Sequence, residues 1–177
     1  MTEVEAIEEL KRALRRTADA KKTMGGACIE EFVLKHGQSY RRRVLPPGIR
    51  RGAITQPFAN AFSLARENPE IYTYVEGYAA GSMPTLHAWC VDKVGFVIDP
   101  TWACDLKKGS DIPGRSVLVQ GQMVRTEGKA YFGIPFEFDY VISTFEKRKA
   151  YGVIDYWEQA WPLVSGKEDL SKTKVFK

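Results

Sequence analysis

Apolar positions in this chain follow two different periods, and the change from one to the other falls near residue 70. Upstream, Val4, Ile7, Leu10 and Leu14 recur at three- and four-residue spacing, which predicts a helix over 3–22. Thr2 is placed to cap it, and Glu8 and Glu9 precede Lys11, Arg12 and Arg15 at helical offsets. Gly25-Gly26 breaks the pattern. A second helix over roughly 27–36 buries Cys28, Ile29, Phe32 and Val33 and ends at Gly37. Residues 38–53 read as irregular, because Pro46-Pro47 forbid a regular helix. A third helix is predicted over 56–67, with Thr55 as cap and Pro57 in the first turn, where a missing N–H costs nothing. Its apolar face is Phe58, Ala61, Phe62 and Ala65, and Asn68-Pro69 stops it.

Downstream the period shortens. Residues 71–80, 86–92 and 96–99 are rich in β-branched and aromatic side chains and read as strands. Lys93-Val94-Gly95 supplies the turn between the last two. Residues 115–125 predict a fourth strand kinked at Gly121, and 129–134 a short extended piece ending at Pro135. Helices follow over 136–149 and 154–161, the latter stopped by Pro162, and the tail from Ser165 is polar and loose. The expected class is α+β: N-terminal helices packed on a small antiparallel sheet, as one domain over 1–164 with a polar tail over 165–177.

Bulk properties narrow this picture only a little. A chain of 177 residues, 44% hydrophobic and 27% charged, suits one domain with a sizeable core. The N-terminus is charged and amphipathic, unlike a secretory signal, and no apolar run approaches the roughly 20 residues that span a bilayer. A cytoplasmic location without membrane contact is therefore expected. The three cysteines, Cys28, Cys90 and Cys104, read as reduced thiols. Charge is uneven: residues 1–60 hold 12 Lys/Arg against 7 Asp/Glu (+5), and residues 61–177 hold 14 against 15 (−1). The densest basic run is Arg41, Arg42 and Arg43 with Arg50 and Arg51, separated by Val44–Ile49. It is a candidate clamp for a phosphate or carboxylate, against the plainer reading of a solvated loop. Tyr40 is its one close aromatic neighbour, which is thin support for a nucleic-acid platform.

Two histidines are present. His36 sits at a helix end beside Gly37 and reads as a C-terminal cation. His87 opens the run His87-Ala88-Trp89-Cys90-Val91-Asp92 after Gly81-Ser82-Met83-Pro84, a place suited to general acid/base work at a sheet edge beside a mobile loop. A satisfied structural histidine is the competing reading. If Lys93-Val94-Gly95 is a three-residue loop with Gly95 at positive φ, Asp92 pairs with Phe96 and Trp89 lies opposite Asp99. His87 is then one diagonal step from Asp99 on the same face, and the carboxylate can fix the tautomer of the ring. Asp99 also fits an Asx turn before Pro100. No Cys, Ser or Thr lies in the first turn of the 56–67 helix. Gln56 can donate its amide to an oxyanion there. Cys90 falls on the opposite strand face from His87, Cys28 lies on an apolar helix side, and Cys104 is the least excluded thiol. A metal site from His87, Cys90, Asp92 and Cys104 lacks ligand spacing, and no cofactor is implied.

The strings Tyr74-Val75-Glu76-Gly77-Tyr78-Ala79, His87-Ala88-Trp89-Cys90-Val91-Asp92, Asp99-Pro100-Thr101-Trp102 and Tyr131-Phe132-Gly133-Ile134-Pro135-Phe136 resemble a group of bacterial and bacteriophage proteins. Their arrangement looks like the papain-like superfamily of cysteine peptidases, amidases and transglutaminase-type enzymes. The resemblance covers residues 54–140. It implies His87 as base, Asp99 as orienting carboxylate, and Gln56, Phe58, Asn60 and Ala61 as the helix motif. Where that motif carries its nucleophilic cysteine, this chain has Pro57. The resemblance therefore implies a papain-like hydrolase or acyltransferase scaffold without its thiol, inactive by natural loss or by a deliberate change, or turned to binding a protein or peptide, or else served by a nucleophile supplied elsewhere. The alternative is a phage-type interaction or inhibitor protein that binds an acidic partner or nucleic acid through its arginines.

Overall fold

The computed structural model describes residues 2–23, 28–81, 83–102, 116–119, 122–125, 130–154 and 160–173. Helix α1, Glu3–Lys22, starts at a capping box in which the Thr2 side chain accepts from Glu5 N and the Glu5 carboxylate accepts from Thr2 N. Its buried stripe is Ala6, Leu10, Leu14 and Ala18. The strict four-residue spacing displaces Val4, expected inside, which is 71% exposed. Helix α2 is Ile29–His36 and buries Phe32 and Val33. Helix α3 is Pro57–Glu67, with Gln56 rather than Thr55 at the cap position and Pro57 at its first turn. Helix α4 is Phe138–Arg148.

Seven strands are described: β1 Gln38–Tyr40, β2 Thr73–Ala80, β3 Pro84–Val91, β4 Val97–Ile98, β5 Ser116–Val119, β6 Gln122–Arg125 and β7 Ala130–Phe136. Five form one antiparallel sheet in the order β1-β7-β2-β3-β4. The sheet curls until its edges touch: Val97 N donates to Arg41 O at 2.8 Å, with Arg41 bridged to Phe96. β1 is the element the irregular reading of 38–53 missed. Three residues carry too weak a period to read, and their partner, β7, lies some ninety residues downstream. The predicted kinked strand over 115–125 is instead the hairpin β5–β6, with Val119 opposite Gln122, and Gly121 lies outside the described residues.

Alternation then sorts side chains into two compartments. Tyr74, Tyr78, Ala88, Cys90, Ile98, Phe132, Ile134 and Phe136 face the four helices. Tyr40, Val75, Ala79, Trp89, Val91, Val97 and Tyr131 fill the inside of the curl, with Trp102 against them. Gly77 and Gly133 are register partners on β2 and β7. A Cβ on Gly77 would lie 2.3 Å from Gly133 Cα, and one on Gly133 would lie 2.7 Å from the Trp89 ring. The missing side chain of Gly133 thus makes room for the indole, and that of Gly77 lets the β7 backbone approach.

Two expectations about the C-terminal part change. Residues 155–159 of the predicted 154–161 helix lie outside the described residues, and Ala160 and Trp161 have positive φ, which ends any helical path before Pro162. The polar tail is tied down as far as Thr173. Glu137 N donates to Thr173 O at 3.1 Å, Tyr140 OH donates to the Glu168 carboxylate, and Leu170–Lys172 form one 3₁₀ turn. Among the described residues, no helix is long and apolar enough to cross a membrane.

Candidate active site

The turn between β3 and β4 sets the register on which the site depends. Gly95 has φ +88°, Gly95 N donates to Asp92 O at 2.9 Å, and Asp92 N donates to Phe96 O at 3.1 Å. The Asp92 carboxylate closes the turn by accepting from Val94 N and Phe96 N. Val91 then pairs with Val97 and Cys90 with Ile98, which brings Trp89 opposite Asp99. His87, two residues earlier on the same face, lies diagonally across from the carboxylate.

The two side chains meet inside the curl. His87 Nε2 is 2.9 Å from Asp99 Oδ2, and the side chains are 1% and 3% exposed. Asp99 divides its work between its oxygens. Oδ1 accepts from Thr101 N at 2.8 Å and Trp102 N at 2.9 Å, the Asx turn that its sequence context suggested. Oδ2 accepts from His87 and from Tyr131 OH at 2.8 Å. Burial opposes the charge on Asp99, yet the neighbouring His87 and these hydrogen bonds outweigh it and hold the carboxyl below its usual range. An ionised carboxylate only accepts, so Nε2 carries the ring proton, and in the neutral ring Nδ1 is the basic nitrogen. Among the described residues Nδ1 is buried without a hydrogen-bond partner. Trp102 stacks on the ring at 4.3 Å, and Trp89 and Tyr131 complete an aromatic collar.

His87 does not open its strand, and it is not at a surface edge. β3 begins at Pro84, because Thr85 and Leu86 already pair with Ala79 and Tyr78, and His87 is fully buried. The helix motif also stands differently from expectation. α3 packs on the other face of the sheet, where Cys90 Sγ donates to Ala61 O at 3.3 Å. It reaches the dyad only at the rim: Asn60 Nδ2 donates to Thr101 Oγ1 at 2.9 Å and to Ala53 O at 2.7 Å. Gln56 is exposed and makes no capping hydrogen bond. Tyr131 and Trp102 were not among the candidate site residues. Their places depend on β7 pairing with β2 and on the turn after β4, and only the alternation of Tyr131 with Gly133 hinted at the first.

The five arginines do not form one clamp. The backbone of Arg42 and its guanidinium both engage Glu3, and Arg43 Nη1 lies 2.7 Å from Asp92 and over the Phe96 ring. Arg41 is exposed beside them. Arg50 and Arg51 line a separate cleft along α3. Of the thiols, Cys28 and Cys90 are buried, burial pushes both thiols up, and Cys104 lies outside the described residues. No cluster of His, Cys, Asp and Glu among the described residues is arranged to hold a metal ion.

A carboxylate buried on the helix-facing side escaped sequence reasoning altogether. Glu76 is fully buried and accepts from Tyr74 OH at 2.7 Å, Val153 N at 2.5 Å and Ile154 N at 2.9 Å. Burial pushes its pKa up to about 7, against the pull of these donors and of Arg148. The signal was present in Tyr74-Glu76-Tyr78, where a charge falls on an otherwise apolar strand face. Comparison of the chain with protein-family models, with curated proteins and with solved structures gave no match.

Proposed function

We propose that the chain is a papain-like domain of cysteine hydrolase or acyltransferase descent, which has Pro57 in place of the thiol and acts by binding. One observation carries the reading: a buried imidazole oriented through Nε2 by an ionised carboxylate, with Nδ1 lacking a partner among the described residues. A histidine serving packing alone would normally satisfy both nitrogens, since an unmade buried hydrogen bond costs about 1–3 kcal/mol. Asp99 fixes the tautomer and would stabilise an imidazolium, and the stacked Trp102 keeps water from their hydrogen bond. An ancestral thiol at position 57 would give its proton to Nδ1 across the rim where Asn60 meets Thr101, since α3 packs on the other face of the sheet. With proline at that position no thiolate forms, while first-turn proline preserves α3. The arginine-clamp alternative has less support, since Arg42 and Arg43 are engaged with Glu3 and Asp92.

The test restores the thiol. In Pro57→Cys, iodoacetamide labelling mapped by mass spectrometry should show the introduced thiol reacting well below the pH at which a free thiol of pKa about 8.5 ionises. Adding His87→Ala should return its pH profile to that of a free thiol. Identical profiles in both backgrounds, with folding verified by circular dichroism, would falsify the papain-like reading.

A further inference from the structure

We propose that the cleft between residues 48–52 and α3 binds an extended acidic peptide, with one glutamate or aspartate side chain held by Arg50 and the charge of Arg51 beside it; this rests on the reading that the domain binds rather than cleaves. The cleft has a volume of about 600 Å³ and starts at the rim of the dyad. Pro100 follows Asp99, and Asn60 holds Thr101; Pro100 and Asn60 both line the cleft. Its outer wall is locked in register with the site, because Gly52 N donates to Pro100 O at 2.9 Å. A Cβ on Gly52 would fall 2.1 Å from Asn60 Oδ1, so the wall closes on the helix only through a glycine.

From Asn60 the floor continues along α3 through Ser63 and Leu64 to Asn68, and Tyr72 lies beyond. At 1.5 Å per residue that path is about 12 Å, the reach of about four extended residues. Arg50 and Arg51 put positive charge on the wall. Glu67 stands in the same cleft. A nucleic-acid strand with a phosphate at every step would meet that carboxylate, and the cleft offers one aromatic, Tyr72, for stacking. A peptide needs to present a single carboxylate to the arginines and can offer backbone groups to Ser63 and Asn68.

The experiment is an amide chemical-shift titration of the full chain with a short blocked peptide carrying one central glutamate, against its glutamine counterpart. The glutamate peptide should shift the signals of Arg50, Ser63 and Asn68, and the glutamine peptide should bind more weakly. Arg50→Gln with Arg51→Gln should lower affinity by roughly tenfold, the loss of one charge-assisted contact, while Arg12→Gln on exposed α1 should leave it unchanged. Equal binding of the two peptides, no saturable binding, affinity indifferent to the double substitution, or tighter binding of an oligothymidylate at the same ionic strength would each overturn the proposal. The thiol-restoring test is independent. Peptide binding by a Pro57→Cys chain whose new thiol is not activated would remove the ancestry and leave the cleft, and an activated thiol without peptide binding would do the reverse.

Discussion

Asp99 is the residue on which most of the site converges, because each of its oxygens has a separate task. Oδ1 holds the turn that positions Thr101 and Trp102, and Oδ2 holds His87 and Tyr131. Asp99→Asn retains the shape but turns one acceptor into a donor facing N–H or O–H groups. It should cost on the order of 3 kcal/mol in urea unfolding, as expected for one partner of a buried pair. Tyr131→Phe removes one donor and no volume of consequence, and about 1 kcal/mol should be lost. In the Pro57→Cys background Tyr131→Phe should also move the pH profile of the introduced thiol, because the carboxylate that orients His87 has lost a hydrogen bond. A Tyr131→Phe chain with altered stability but an unmoved profile would reduce Tyr131 to a packing residue. Both halves of the Asp99 reading, tautomer fixer and Asx turn, were visible in Gly95, Asp99 and Pro100. The sequence presented them as rivals, whereas a carboxylate has enough lone pairs for both.

At the level of elements, legibility followed range. α1 and α3 were readable because their stripes and caps are local: Thr2 with Glu5, and Pro57 at a first turn. The register of the β3–β4 hairpin was readable once a three-residue loop was assumed, because one glycine with positive φ fixes it, while the start of β3 at Pro84 was not. β1 was not, since a three-residue strand exists only through its partner β7. The compartment of His87 was misjudged for a related reason. Alternation gives the face, but which face α3 covers depends on the whole sheet. The close pairing of Gly77 and Gly133 is likewise non-local, and it admits a sharp test. Gly77→Ala would place a methyl 2.3 Å from both Gly133 Cα and Phe132 O, neither of which can rotate away. A loss on the order of 3 kcal/mol is expected, at the upper end for overpacking, accompanied by a changed near-ultraviolet signal from Trp89. A neutral Gly77→Ala would mean that β2 and β7 are not so closely apposed.

For the molecule as a whole, two buried carboxylates on opposite faces of one sheet set opposite limits on pH. Asp99 is held below its ordinary value of 3.8, so its contribution is present above that pH and disappears as acid protonates the folded state. Glu76 behaves in the reverse sense. Its folded pKa is about 7 against an ordinary 4.5, so the folded protein holds this proton more tightly than the unfolded chain does. Stability from Glu76 is full below pH 4.5 and is lost as pH rises to about 7, an amount on the order of 3 kcal/mol at most. Together they predict a stability maximum on the mildly acid side of neutrality, falling both ways. Glu76→Gln should flatten the limb between pH 4.5 and 7. It should also lower stability at pH 4.5, because the hydroxyl oxygen of the protonated acid can still accept from Val153 N or Ile154 N whereas the amide nitrogen cannot. Urea midpoints measured across this range for the native chain and Glu76→Gln decide the matter. Parallel curves would show that the carboxylate is already ionised in the fold at mildly acid pH, with Tyr74, Val153 and Ile154 outweighing its burial.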